Sequence, residues 1–495
     1  SGMAMAHWEI QGWMILILGW VFVPFYSRSM VYTMPEFLER RYNPQSRTIL
    51  SVISLVSYVL TKVAVTVYAG GLVFQQVFGI KELWGIDFFW IAAIGLVVLT
   101  ALYTIFGGMK SVLYTSVLQT PILLLGSLII LVLGFKELGG WDEMMRVCGA
   151  VTVNDYGDTM TNLIRSNDDA NFPWLGALIG SAIIGFWYWC TDQFIVQRVL
   201  SGKNEKEARR GTIFGAYLKL LPVFLFLIPG MIAFALHQKY IGAGGEGFLP
   251  MLANGTANAD AAFPTLVAKL LPAGVKGLVV CGILAALMSS LASLFNSSAM
   301  LFTIDFYKRF RPETPEKKLV GIGQIATVVI VILGILWIPI MRSVGDVLYT
   351  YLQDVQSVLA PGIAAAFLLG ICWKRTSAQG GMWGLIAGMI IGLTRLGAKV
   401  YYSNAGEVAD STFKYLFYDM NWLFFCGWMF LFCIIVVIVV SLATEAPTAE
   451  KIQGLVFGTA TKEQKAATRA SWDHWDIIHT VIILAITGAF YWYFW

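Results

Sequence analysis

Long apolar runs alternate with short polar connections along almost the whole chain. A helix needs about 20 apolar residues to cross roughly 30 Å of hydrocarbon. About twelve runs reach that length, near residues 10–27, 48–79, 86–106, 112–135, 174–198, 211–236, 275–303, 319–341, 345–372, 378–398, 421–443 and 474–495. Within them polar and apolar residues do not alternate, which favours helices over the strands of a barrel. The pattern predicts an all-α polytopic membrane protein.

Composition supports this prediction and argues against separate soluble domains. Hydrophobic residues make up 58% of the 495 residues and charged residues 13%, whereas soluble domains average roughly 45–50% and about 25%. The largest polar stretches, 139–172 and 444–474, are short for a domain of their own. Residues 1–495 are therefore predicted to form one transmembrane domain within the lipid bilayer of the cell membrane. The net charge of +4 is small and dispersed, so nucleic acid is not indicated as a partner.

Basic residues and glycines indicate how the spans are connected. One set of alternate connections carries about twice as many Lys and Arg residues as the other, which predicts that this set is cytoplasmic. Gly107-Gly108, between the third and fourth runs, predicts a left-handed helix stop. The chain begins with Ser1-Gly2 and not with a methionine, so a preceding segment is expected.

The motifs of several enzyme and pump classes are absent from the sequence. There is no Walker A loop, no HExxH and no GxSxG, and the six cysteines show no metal-ligand spacing. No long polar domain is present that could couple ATP hydrolysis. The polar residues are scattered over different spans, which suits a carrier better than the repeated filter of a channel. A non-enzymatic, gradient-driven carrier is predicted, with a channel or a transporter-like sensor as alternatives.

The stretch from Gly185 to Gln193 combines four aromatic residues with Cys-Thr-Asp-Gln inside an apolar segment. Polar and ionisable groups at membrane depth are candidates for a functional site. Aromatic faces suit stacking on the flat apolar face of a ligand. The competing interpretation is a helix end at the interface, where Trp and Tyr form belts and a polar tail meets water. The stretch alone leaves both interpretations open.

Three further polar residues stand out. Lys219 lies in the middle of a span, where an ammonium needs a carboxylate or a wet cavity. It can serve function, a buried ion pair, or both. Glu9 lies at the outer end of the first span, where a solvated end is the simpler interpretation, whereas Gln353 is deeper. An acid, an amine and an amide together offer the donors and acceptors that hold a polyol.

Small and hydroxylated residues follow one stripe of the span 275–303. Ala286, Ser289, Ser290, Ser293 and Ser297 have helical spacing. Hydroxyl and carbonyl oxygens are hard ligands that suit an alkali cation. Close helix packing is the competing explanation, because small residues let backbones approach and hydroxyls bond across helices.

With these residues in view, the chain resembles the sodium/solute symporter family, specifically its sodium–glucose cotransporter branch. The resemblance covers essentially the whole chain. Its most specific motifs are Tyr188-Trp-Cys-Thr-Asp-Gln with Val196-Gln-Arg, Tyr217-Leu-Lys-Leu, and Met288-Ser-Ser-Leu-Ala-Ser-Leu-Phe-Asn-Ser. Thr33-Met-Pro-Glu-Phe-Leu is shared more widely across the family.

The resemblance implies a LeuT-like core of two inverted five-helix repeats with alternating access around a mid-membrane site. By that alignment the first repeat is incomplete, at about 1–138, because the N-terminal helix or helices precede this chain. The second repeat covers about 170–372, and peripheral C-terminal helices cover about 378–495. The resemblance also implies sodium-coupled uptake of a sugar, a hexose such as galactose or glucose.

The resemblance assigns roles to individual residues. Tyr188 is expected to be the inner gate beneath the sugar ring, with Trp189 beside it. Glu9, Lys219 and Gln353 are expected to bind sugar hydroxyls. Ser289, Ser290 and the Ala286 carbonyl are expected to bind sodium.

Two departures from the family pattern leave alternatives open: one at Ser116, and one at Trp8 and Gly185, which stand where relatives vary. Ser116 stands where much of the family has an Asp tied to a second cation position, which favours one sodium per sugar. A different solute, such as an inositol, sialic acid, another carboxylate or an amino acid, remains the alternative. A carboxylate would favour an Arg in the site, and the comparable residue is Arg395, near an outer end.

Overall fold

The computed structural model describes residues 2–29, 31, 33–252, 255–344, 348–404 and 409–495. Within these ranges, the backbone alone is described for 103, 105–113, 115, 118, 341–344, 350 and 404. The described chain is mainly helical. Its two short strands, β1 (Glu82–Leu83) and β2 (Ile86–Asp87), pair antiparallel.

The helices fall into long spans and short connecting pieces. They are α1 (Gly2–Ser29), α2 (Met34–Arg41), α3 (Pro44–Phe78), α4 (Phe88–Leu138), α5 (Trp141–Gly149), α6 (Trp174–Thr191), α7 (Gln193–Leu200), α8 (Glu205–Gly242), α9 (Ala262–Leu270), α10 (Ala273–Phe310), α11 (Glu316–Val344), α12 (Leu348–Cys372), α13 (Ala378–Asn404), α14 (Trp422–Ala443), α15 (Lys462–Ala470) and α16 (His474–Tyr493). Shorter helical turns occupy Ala259–Ala261, Thr412–Lys414, Tyr415–Asp419 and Ala449–Ile452.

Eleven helices among the described residues are long and apolar enough to cross a membrane. The runs predicted at 86–106 and 112–135 are not two helices: their backbone forms the single helix α4. The predicted stop at Gly107-Gly108 is wrong, because the backbone of both glycines lies inside α4. Glycine in a helix interior costs only about 1 kcal/mol relative to alanine, which the apolar flanks on both sides outweigh.

Sequence signals account for several helix starts. Asn43 accepts a hydrogen bond from the Ser46 amide, and Pro44 follows it at the first helical position of α3. Thr33 caps α2 by accepting from the Glu36 amide. Such caps satisfy amide groups that have no partner within the helix.

Several long helices are irregular, and in α1, α3 and α6 the irregular segment contains or adjoins polar residues. In α1, Ile10 and Gln11 leave the helical conformation, directly after Glu9. Wide π-helical turns occupy Tyr58–Val63 of α3, Phe186–Thr191 of α6 and Val223–Leu227 of α8. Turns of this kind often occur at functional sites.

Helix packing brings the irregular segments together. Helix α1 packs on α8 and α16, and α6 packs on α12 and α14. Helix α10 packs along α4, and α11 lies against the π turn of α3. The run predicted at 174–198 is divided into two helices. Helix α6 ends at Thr191, because Asp192 has extended backbone angles (φ −79°, ψ 127°) before α7 begins.

Candidate functional site

A cavity of about 220 Å³ lies where α1, α6, α8 and α12 meet. All five residues predicted to bind solute line it: Glu9, Tyr188, Trp189, Lys219 and Gln353. The other lining residues are Trp8, Gln11, Ile184, Gly185, Tyr349, Leu352 and Gln356. The volume is below the roughly 300–1,000 Å³ that is usual for drug-sized ligands, so the cavity suits a smaller solute.

An ion pair joins two of the helices at this cavity. The Lys219 ammonium lies 2.8 Å from Glu9 Oε2, and Tyr349 Oη donates to Glu9 Oε1 at 3.1 Å. The Lys219 and Glu9 side chains are 16% and 22% exposed, so the pair is reachable from the cavity. Glu9 is therefore not a solvated helix end, the simpler interpretation of its position in the sequence.

Gln353 presents an acceptor that the protein itself does not satisfy. Its side chain is 7% exposed, and Gln353 Oε1 has no hydrogen-bond partner among the described residues. Leaving a buried acceptor unpaired costs about 1–3 kcal/mol. A hydroxyl group that enters the cavity would remove this cost.

The amide of Gln11 is held in place on the other side. Gln11 Nε2 donates to the Ser181 carbonyl at 2.8 Å. A Cβ atom at Gly185 would lie 2.6 Å from Gln11 Oε1, so a larger residue at position 185 would displace the Gln11 amide.

Aromatic rings form part of the wall. Tyr188 and Trp189 pack edge to face, with centroids 5.1 Å apart at 85°. The Lys219 ammonium lies 5.6 Å from the Trp189 ring centroid, within cation–π range. The π turn Phe186–Thr191 places both rings at the cavity.

The polar end of this stretch does not meet water. Asp192 and Gln193 are 4% and 1% exposed, so the interface interpretation is wrong for them. Asp192 pairs with Lys62 and accepts from Tyr58 Oη at 2.9 Å. Gln193 Oε1 accepts from the Met34 amide at 2.8 Å. Partners from distant parts of the chain replace the water that the local sequence led us to expect.

The predicted sodium ligands lie on α10 in different surroundings. Ser289 is 8% exposed, and its Oγ lies 2.6 Å from Ser116 Oγ on α4. Ala286 is partly buried and Ser290 is exposed. The hydroxyl of Ser289 therefore lies beside that of Ser116. The family resemblance associates Ser116 with a second cation position, separate from Ser289.

The C-terminal part of the same stripe, Ser293 and Ser297, makes contacts with other side chains of the protein. Ser297 Oγ accepts from Gln197 Nε2 at 2.6 Å, and Arg198 donates to Ser293 Oγ. These serines therefore pack α10 against α7, as the helix-packing interpretation predicts. That explanation fits Ser293 and Ser297.

Comparison with known proteins identifies the family. Residues 1–388 match the model of the sodium:solute symporter family. The chain belongs to this family. It is a sodium-coupled solute symporter and a multi-pass membrane protein of the cell membrane. Sodium is the coupled ion.

Several curated relatives cover most of the symporter. A sodium/mannose cotransporter of Bos taurus is 36% identical over 504 residues, which is 97% of this chain and 83% of the relative. Sodium/myo-inositol cotransporter 2 of Homo sapiens is 35% identical, over 93% of this chain and 69% of the relative. Sodium/glucose cotransporter 4 of Danio rerio is 34% identical, over 95% and 73%.

Solved structures confirm the LeuT-like fold. A substrate-bound, outward-open Na⁺-coupled sialic acid symporter matches with a TM-score of 0.66 at 20% identity, over 89% of this chain and 84% of that one. The nucleobase-cation-symport-1 family transporter Mhp1, in a closed conformation, matches with a TM-score of 0.53 at 12% identity, over 91% and 88%.

Some residues that line the cavity were not predicted from the sequence. Tyr349 and Gln356 flank Gln353 at spacings of four and three, so one face of α12 carries all three. That spacing was available in the sequence and could have identified them. The sequence did not predict the pairing of Lys62 with Asp192, because the two residues are 130 positions apart in the chain.

Proposed function

We propose that this symporter couples inward sodium flux to uptake of a neutral hexose or inositol by alternating access around the cavity of α1, α6, α8 and α12. One observation carries the proposal: the Glu9–Lys219 pair, the unpartnered Gln353 Oε1 and the rings of Tyr188 and Trp189 line one small cavity. The relatives named for mannose, glucose and myo-inositol support a polyol solute.

Each residue has a distinct chemical role in this proposal. Glu9 accepts hydrogen bonds from solute hydroxyls and Lys219 donates them. Gln353 Oε1 accepts from one further hydroxyl. The face of Tyr188 stacks on the apolar face of the ring, and Trp189 supports it.

Charge in the cavity favours a neutral solute. Glu9 and Lys219 pair with each other, so together they contribute no net charge. Arg395, the residue that a carboxylate would favour, lies elsewhere: its guanidinium donates to the carbonyls of Leu416 and Met420. Neither Arg395 nor these carbonyls line the cavity.

Sodium binding is assigned in the proposal to oxygens of α10. The Ala286 carbonyl and the hydroxyls of Ser289 and Ser290 are the ligands, and Ser116 adds a hydroxyl beside Ser289. Neutral oxygens suit a hard cation of low charge. Because Ser116 adds no carboxylate, one sodium ion per solute is proposed.

One ion provides enough free energy for useful accumulation. A membrane potential contributes roughly 2.3 kcal/mol per charge per 100 mV. A tenfold sodium gradient adds about 1.4 kcal/mol. The sum of about 3.7 kcal/mol supports accumulation on the order of 500-fold.

Uptake into proteoliposomes tests the proposal. The full-length protein is supplied with labelled mannose, glucose, galactose, myo-inositol or sialic acid, under an inward sodium or potassium gradient. We expect saturable uptake of at least one neutral polyol in sodium only. Equal uptake in potassium would refute sodium coupling to these solutes, and uptake of sialic acid alone would refute the neutral-polyol assignment.

A further inference from the structure

A second ion pair lies inside the membrane-spanning part of the symporter, next to the cavity. Lys62, in the π turn of α3, pairs with Asp192 at the break between α6 and α7. Their side chains are 9% and 2% exposed. Ionised groups at this depth are costly and usually functional, so a pair retained here calls for a specific role.

Lys62 contacts the aromatic wall from beside the cavity. Its ammonium lies 5.1 Å from the ring centroid of Tyr188, 4.7 Å from that of Tyr58 and 4.3 Å from that of Phe194. All three distances are within cation–π range. Of these rings, Tyr188 lines the cavity. The position of the ammonium therefore bears directly on the orientation of a cavity residue.

Asp192 fixes the start of α7. Its carboxylate accepts from the Phe194 amide at 3.1 Å and from Tyr58 Oη at 2.9 Å. Asp192 is thus both the helix cap of α7 and the partner of Lys62. Displacing either side chain would change where α7 begins relative to Tyr188.

Helix α7 in turn contacts the helix that carries the predicted sodium ligands. Gln197 Nε2 donates to Ser297 Oγ, and Arg198 donates to Ser293 Oγ. Ser293 Oγ donates to the Ser289 carbonyl at 3.0 Å. Packed contacts therefore run from Tyr188 through Asp192 and α7 to Ser289.

We infer that Lys62 and Asp192 are a positioning pair that sets Tyr188 against the cavity and links solute affinity to sodium through α7. The inference rests on the proposed function, since it takes Tyr188 to contact the solute. Neither residue lines the cavity, so the pair acts through Tyr188 and not by touching the solute.

Replacing both charges separates positioning from simple stabilisation. Removing one partner leaves a buried charge unpaired, whereas neutral side chains of similar size at both positions often leave stability unchanged. Lys62→Met with Asp192→Asn is therefore expected to fold and reconstitute. Both positions are buried in the wild type, so neither neutral side chain adds a new apolar group to the surface.

The test measures the KM for the transported solute at several sodium concentrations, using the labelled polyols named above. Loss of the cation–π contact is expected to raise the KM about 2- to 30-fold in the double variant. The sodium dependence of the KM should also weaken. In a Tyr188→Leu background, adding the two changes should have little further effect, because non-additivity is the mark of residues that act together.

A matched control uses another buried ion pair. Arg165 and Asp169 are each 2% exposed, and neither lines the cavity. Arg165→Met with Asp169→Asn should leave the KM and its sodium dependence unchanged.

The outcomes distinguish the inference from the proposed function. Sodium-independent uptake by the wild type would overturn both. Sodium-dependent wild-type uptake, with an unchanged KM in the Lys62 and Asp192 double variant, would overturn the positioning role alone. Additive effects in the Tyr188→Leu background would show that the pair does not act through Tyr188.

Discussion

The ion pairs Glu9–Lys219 and Lys62–Asp192 both lie among membrane-spanning helices, yet their surroundings differ. Glu9 and Lys219 are 22% and 16% exposed and line the cavity. Lys62 and Asp192 are 9% and 2% exposed and are surrounded by aromatic rings. A pair that faces a cavity can exchange part of its interaction for a solute, whereas an enclosed pair cannot. We therefore assign binding to the first pair and positioning to the second.

Breaking the enclosed pair should have the largest effect on stability. Asp192→Ala leaves the Lys62 ammonium buried without its carboxylate and removes the cap of α7. We expect a loss of about 3–5 kcal/mol of stability, seen as a lower melting temperature in detergent. The control is Asp410→Ala, which breaks an ion pair with Lys414 at a carboxylate that is 96% exposed and should leave melting unchanged. Similar melting of both variants would contradict the comparison.

Breaking the cavity pair should affect transport more than folding. Lys219→Met removes a charged donor that lies 2.8 Å from Glu9 Oε2. Hydrogen bonds to charged groups contribute about 1.5–3 kcal/mol, so kcat/KM for the solute should fall about 10- to 150-fold. Lys239→Met, at an exposed position of the same helix, is the control. If Lys219→Met transports like the control, the pair does not bind solute.

Removing a single neutral acceptor should have a smaller effect on the same step. Gln353→Ala eliminates the unpartnered Oε1, and a neutral hydrogen bond contributes about 0.5–1.5 kcal/mol. The KM for the solute should rise about 2- to 13-fold, measured as initial uptake in proteoliposomes. Gln453→Ala, at an exposed glutamine, should leave the KM unchanged.

The serine pair of α4 and α10 extends the comparison to sodium. Ser289→Ala removes one of two hydroxyls that lie 2.6 Å apart, so the sodium concentration for half-maximal uptake should rise by about 2- to 13-fold. Ser403→Ala, at an exposed serine of α13, serves as the control. An unchanged sodium requirement in Ser289→Ala would assign Ser289 to helix packing, as for Ser293 and Ser297.

Features that depend on local sequence patterns could be predicted, whereas contacts between residues far apart in the chain could not. The membrane class followed directly from the apolar runs, and the resemblance supplied the LeuT-like fold. Resemblance also grouped Glu9, Lys219 and Gln353, which lie on three different helices. Helical spacing on α12 would have added Tyr349. These signals are local patterns or motifs, which can be recognised in the sequence without the structure.

Non-local contacts account for what the sequence did not predict. Aromatic residues followed by Asp192 and Gln193 look like a helix end at an interface, because their buried partners are far away in the chain. At Gly107-Gly108, a weak local preference against helix was mistaken for a stop. Neither the burial of Asp192 nor the continuity of α4 is encoded within a short window.

The central claim is that a solute binds in a sodium-dependent way in the cavity of Glu9, Lys219 and Gln353. The most direct measurement is the increase in the melting temperature of the purified protein when one of the same polyols, unlabelled, is added. It is made once in sodium buffer and once in potassium buffer. A ligand at about 100 times its Kd stabilises the folded state by about 2.7 kcal/mol. We predict a larger increase in sodium than in potassium for the wild type and Gln453→Ala, and a reduced increase for Gln353→Ala. Equal increases in Gln353→Ala and the wild type at the same solute concentration would contradict the claim.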